Sequence, residues 1–128
     1  MEEVIEMRPP VFTDPANPGL LADIYESPAR DAYVILIPVP GLKPDEIVIE
    51  ADPYSLTVTT NPAQTQSNAG PTYLQREISL WPLSRKLDFP VEIDTDKVQA
   101  TLENGILQIQ VPKGAAGKHK IIPVGQAA

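Results

Sequence analysis

The chain has 128 residues, 42% hydrophobic, 21% charged and 5% aromatic, a composition that fits one domain, too short for two ordinary cores yet long enough to hold together without covalent staples. It contains no cysteine and a single histidine, which removes disulfides, thiolate chemistry and thiolate zinc sites and leaves little for imidazole ligation or a histidine base. Seventeen acidic against ten basic residues give a net charge of -7, which argues against nucleic acid and membrane as partners. The opening Met1 to Met7 has no basic flank or apolar stretch of a secretory signal and no window has the length of a membrane span, so a cytoplasmic, reducing compartment is expected.

Fifteen prolines against seven glycines predict little helix, because proline costs hydrogen bonds inside helices and central strands. The prolines fall between short β-branched runs that alternate with period two, the pattern of an all-β chain. Residues 1–20, with Pro9, Pro10, Pro15 and Pro18, read as an extended or mobile N-terminal arm whose apolar face is Met1, Val4, Ile5, Met7, Val11 and Phe12. Strands are expected at 22–26 and at 32–39, where Val34, Ile35, Leu36 and Ile37 are apolar on both faces and so call for cover on both sides. A turn through Gly41 to Asp45 leads to a strand at 46–51 with Ile47, Ile49 and Ala51 on one face, and Asp52-Pro53 makes a tight connection to a strand at 54–60. Residues 61–71 carry no charge and no apolar side chain larger than alanine, and read as a protruding loop. Strand character resumes at 73–81, is broken at Pro82, and continues with Leu83, Arg85, Leu87 and Phe89 on one face.

Asn104-Gly105 is the sharpest local signal, because that dipeptide favours the two-residue turn with positive φ at both positions. It pairs Glu103 with Ile106, Leu102 with Leu107, Ala100 with Ile109 and Val98 with Val111, so that six apolar side chains share one face. Pro112 ends the ladder, and residues 113–120 read as a flexible segment with His119 in solvent. The resulting division is an arm at 1–20, a sandwich domain at 21–112 and a C-terminal extension at 113–128.

Ala100-x-x-x-Asn104-Gly105-Ile106-Leu107 followed by Val111-Pro112-Lys113 resembles the signature of the alpha-crystallin domain of small heat shock proteins. Pro38-Val39-Pro40-Gly41-Leu42-Lys43-Pro44-Asp45-Glu46-Ile47 and Tyr73-Leu74-x-Arg76-Glu77 are similar to two further segments of that family, in the same order, over about residues 20–124. The resemblance implies an immunoglobulin-like β-sandwich that dimerises and assembles further through an Ile-x-Ile or Ile-x-Val tail motif docked in a neighbour's groove. Ile122-Pro123-Val124 fits that motif: in an extended segment its two aliphatic side chains point the same way while proline lowers the ordering cost. The implied groove lies between the strands beginning at Glu46 and Val98, with Ile47, Ile49, Val98, Ala100, Leu102, Leu107 and Ile109 as lining candidates, some of which must instead be core. The residues alone leave a second reading open, in which 121–124 covers its own sandwich.

The family's long loop carries a strand that pairs with a partner's sheet edge, which places Ala63, Thr65 and Ser67 at a dimer interface; their weak β propensity leaves a bare mobile loop as the alternative. Arg85 matches a family arginine, with Leu83 in place of the usual aromatic. Between Leu83 and Leu87 its guanidinium either meets a carboxylate at an interface or snorkels to solvent, and Arg76, between Leu74 and Ile78, is a second interface candidate; Glu77 and Asp88 are partners for either.

The functional expectation is an ATP-independent holdase that binds partly unfolded client proteins, works as a homodimer and higher homo-oligomer, and uses no cofactor, metal or catalytic residue. Gly114 to His119 lacks the spacing of a phosphate loop, Asp94-Thr95-Asp96 lacks the glycine and distal glutamate of a calcium loop, and no G-x-S-x-G is present. The alternative is a dimeric adaptor using the same groove; a ligand-binding or enzymatic sandwich would need an aromatic platform or polar cluster that the sequence does not display.

Overall fold

The computed structural model describes residues 20–62, 72–75, 77, 82–115 and 118–126. Alternating side chains fold these residues into nine strands: β1 (Asp23–Glu26), β2 (Ala32–Pro38), β3 (Ile47–Asp52), β4 (Ser55–Thr60), β5 (Leu83–Asp88), β6 (Gln99–Glu103), β7 (Ile106–Pro112), β8 (Lys120–Ile122) and β9 (Val124–Gln126). The described helical turns are short 3-10 turns at Pro44–Glu46 and Thr95–Lys97. One sheet has the order β1-β2-β7-β6-β9 and the other β5-β4-β3-β8, and they face each other as a sandwich.

The core follows the predicted periods. Ile35, Ile37, Ile49, Leu56, Val58, Leu107, Ile109 and Val111 are fully enclosed. In β3 and β4 every second residue is buried, while β2 buries Val34 as well as Ile35 and Ile37, as a strand covered on both faces must. The β6–β7 hairpin has the expected register, Ala100 opposite Ile109, Leu102 opposite Leu107 and Glu103 opposite Ile106. Its turn has φ of 54° at Asn104 and 77° at Gly105. Gly105 suits the turn because its φ is positive, and its carbonyl accepts the Val39 N–H at 2.7 Å. The Asp52-Pro53-Tyr54-Ser55 connection is a two-residue turn closing the β3–β4 hairpin, so β4 begins one residue later than the sequence pattern suggested.

Four expectations are modified. Leu20, assigned to the arm, is buried in the core. The extension beyond residue 112 is not a loose appendage: it supplies β8 to the smaller sheet and β9 to the larger. Lys113, placed in a flexible segment, is anchored three ways, by its N–H to the Asp31 carbonyl, by a bridge to Ile93 and by its ammonium on Glu26. In the 73–81 segment the described residues, 73–75 and 77, are not in a strand, and the others lie outside the described residues.

Asp94 caps the second 3-10 turn by accepting the Asp96 N–H at 3.1 Å, and this turn fully buries Thr95, whose Oγ1 has no hydrogen-bond partner. A buried, unpaired hydroxyl costs roughly 1–3 kcal/mol. Thr95→Val is therefore expected to raise stability by about 1 kcal/mol, read as a higher urea midpoint with an unchanged slope.

Candidate functional site

A sandwich of open sheets leaves edges whose N–H and C=O groups invite pairing. In this chain the edges of β3 and β6 flank an apolar groove, and the C-terminal segment fills it by changing sheets part-way. β8 runs antiparallel to β3, with Ile122 opposite Ile49 and Lys120 opposite Ala51. β9 then runs parallel to β6, with Val124 opposite Ala100 and Gln126 opposite Leu102. Pro123 stands at the crossover, outside both strands, where its missing N–H breaks no ladder bond. Ile122 is 3% exposed and joins the core cluster, while Val124 packs against it part-buried.

Of the lining candidates, Ile49 and Ala100 face the two pegs in register and Leu102 lies opposite Gln126. Ile47 and Val98 are buried at the starts of β3 and β6, and Leu107 and Ile109, on β7 behind β6, are fully enclosed core. Within the chain, Ile122-Pro123-Val124 lies along its own β3 and β6 edges, the arrangement that the residues left open beside docking in a neighbour. The connection from Pro112 to Lys120 spans roughly 3.3 Å per residue when extended, enough to bring the tail back over its own sheets.

Arg85, opposite Val58 on β5, is half-buried and donates from Nη1 to the Leu20 carbonyl at 2.7 Å, which ties the segment entering β1 to the smaller sheet. Arg76, Ala63, Thr65 and Ser67, and the arm residues Met1, Val4, Ile5, Met7, Val11 and Phe12, lie outside the described residues. β1 forms the far edge of the larger sheet, all four of its residues are exposed, and Leu21, Ile24 and Tyr25 present an apolar surface there.

Sequence reasoning missed a set of polar contacts. His119 is exposed, as expected, and in addition has Nδ1 2.8 Å from Asp52 Oδ1, while Lys120 Nζ lies 3.7 Å from Asp96 Oδ1. The available signal was the basic Lys118-His119-Lys120 run directly before the aliphatic motif in an otherwise acidic chain. Among the described residues no three His, Asp or Glu side chains converge as a metal site, and no helix is long and apolar enough to cross a membrane.

The profile of the Hsp20/alpha crystallin family matches residues 25–125. The chain belongs to that family. It is 31% identical over 94 residues to a 17.7 kDa class II heat shock protein of Arabidopsis thaliana, covering 72% of this chain and 59% of the plant protein. It is 30% identical over 102 residues to small heat shock protein C2 of Rickettsia felis, covering 80% and 65%. The chain thus spans about three fifths of the length of these relatives. The fold is similar to that of heat shock protein 16.0 from Schizosaccharomyces pombe, with a TM-score of 0.64 at 22% identity over 80% of this chain and 93% of that one. A small heat shock protein from Xylella fastidiosa gives 0.61 at 24% identity, over 77% and 89%. The Hsp20 family is one of ATP-independent chaperones rather than enzymes, and its members form oligomers and bind unfolded clients.

The alpha-crystallin sandwich is clipped at its β1 edge by Lys113, which lies 2.6 Å from Glu26 and 5.0 Å from the centre of the Tyr33 ring, itself stacked on Phe89. The hydrogen bond from Lys113, followed by its charge, lowers the Glu26 pKa, and the same hydrogen bond raises that of Lys113. The lowered carboxyl contributes stability above the ordinary carboxylate range and loses it as pH falls through its folded-state value; the raised amine contributes below the ordinary lysine range and loses it as pH rises through its own. Glu26→Gln should therefore lower the melting temperature slightly at neutral pH, with the gap to wild type closing in acid, closing again in strong alkali, and shrinking in high salt.

Proposed function

We propose that the protein is a cytoplasmic, ATP-independent holdase that works as a homodimer and larger homo-oligomer and binds partly unfolded clients. The observation that carries this reading is the groove of an Hsp20-family sandwich that takes an extended aliphatic segment by two means at once, edge pairing along β3 and β6 and burial of Ile122. Partly unfolded proteins display the same chemistry, free backbone groups beside exposed aliphatic side chains, and sequestering them by mass action needs neither nucleotide nor a catalytic group.

In this reading the tail exchanges between its own groove and that of a neighbour, which offers identical contacts. The dimer forms at the exposed β1 edge, where a strand from residues 61–71 of a second copy completes the sheet and covers Leu21, Ile24 and Tyr25. Arg85 supports that interface by fixing the Leu20 carbonyl just before β1. The arm residues Met1, Val4, Ile5, Met7, Val11 and Phe12 add a soft apolar face for clients.

The protein is expected to suppress light scattering of unrelated heated proteins without ATP at near-stoichiometric ratios. The double variant Ile122→Ala, Val124→Ala is expected to lose the large assemblies, measured by light scattering with mass determination. A folded wild-type chain that fails to protect clients leaves the adaptor reading in its place. Arg85→Ala is expected to raise the dimer dissociation constant about tenfold while shifting the melting temperature little; an unchanged sedimentation profile removes Arg85 from the interface.

A further inference from the structure

The mouth of the groove carries charge on both sides. Asp52 ends β3 on the smaller sheet, and Asp96 lies in the 3-10 turn that leads into β6 on the larger. Consecutive residues of the tail reach both, His119 to Asp52 and Lys120 to Asp96, and they stand three and two positions before Ile122. The surroundings are predominantly acidic. The smaller sheet adds Glu50, opposite Ile121, and Asp88, opposite Ser55, the residue that itself faces Asp52. The turn adds Asp94, 3.9 Å from Lys97. The neighbouring cations are Lys97, Lys86 opposite Thr57 on β5, and the tail's own Lys118 and Lys120.

Two aliphatic pegs set the register through what would replace them, since a slip of two residues puts Lys120 or Gln126 where a peg sits. Apolar burial has no direction, and Lys120 and His119, each matched to a carboxylate on a different sheet, distinguish the seated direction from its reverse. We propose that Asp52 and Asp96 form a gate, which admits this chain's own C-terminal segment in one direction because His119 and Lys120 stand three and two positions before its first apolar peg. The seat therefore loosens as salt rises, because both contacts are exposed.

The inference rests on the groove being the tail's seat, and amide hydrogen exchange of residues 118–126 in the full chain, corrected for intrinsic rates, separates the two. With the tail seated, exchange is expected to be protected, and about two- to fivefold less so in Asp96→Asn or Lys120→Gln, the range for a partly exposed ion pair. Asp52→Asn should lower protection by a similar factor while protection persists. Asp52→Asn with Asp96→Asn should lower protection by about the product of the two single effects, and 0.5 M salt should do the same to wild type. Protection that is present but indifferent to salt and both substitutions overturns the gate and leaves the seat. No protection even in low salt overturns both. Protection lost on dilution puts a second copy's tail in the groove and overturns the intrachain seat.

Discussion

The structure turns on how two sheet edges are closed. β3 and β6 border the same groove from different sheets, and a single short segment serves both by pairing antiparallel with one and parallel with the other. Neither ladder exceeds three residues, and beyond the backbone pairing the closure rests on Ile122 in the core and Val124 packed beside it. Pairing of this kind covers edges that would otherwise be open to any extended strand.

The division of labour inside the sandwich follows from this. Strands β2 and β7 are paired on both sides and apolar toward the core. The elements with the least backing, β1, β8 and β9, lie at the edges, where low local stability is expected and where exchange between chains is least disruptive. Lys113 marks the boundary between these regimes: bonded to Asp31, Ile93 and Glu26, it anchors the end of β7 so that movement of the extension does not propagate into the core.

Much of this was legible in the residues because the signals were local. Period-two alternation in 46–60 placed β3 and β4, and Asn104-Gly105 set the β6–β7 register through turn geometry that the hydrophobic pattern supported independently. The contacts that escaped join distant parts of the chain. His119 meets Asp52 across 67 positions and Lys113 meets Glu26 across 87, and no propensity or period encodes such a pairing. Leu20 escaped for a related reason: flanked by Pro18 and Gly19 it reads as arm, and only the packed sandwich shows that its side chain is core and its carbonyl an acceptor for Arg85.

The aliphatic motif marks what the groove binds and leaves open which chain supplies it. A tail tethered to its own sandwich by a short linker experiences an effective concentration in the millimolar range, so its own groove is the default seat for a dilute chain. A neighbour's tail makes the same contacts and differs only in lacking that tether. Exchange between copies is then governed by crowding of the chains rather than by any new interaction. A client strand entering the groove faces the same competition, and the carboxylates at its mouth, which match the tail's Lys120 and His119, place a client without cations there at a further disadvantage. In the proposed holdase the groove therefore takes a client strand only where a tail has left it, so that capture and tail docking compete for the same two edges.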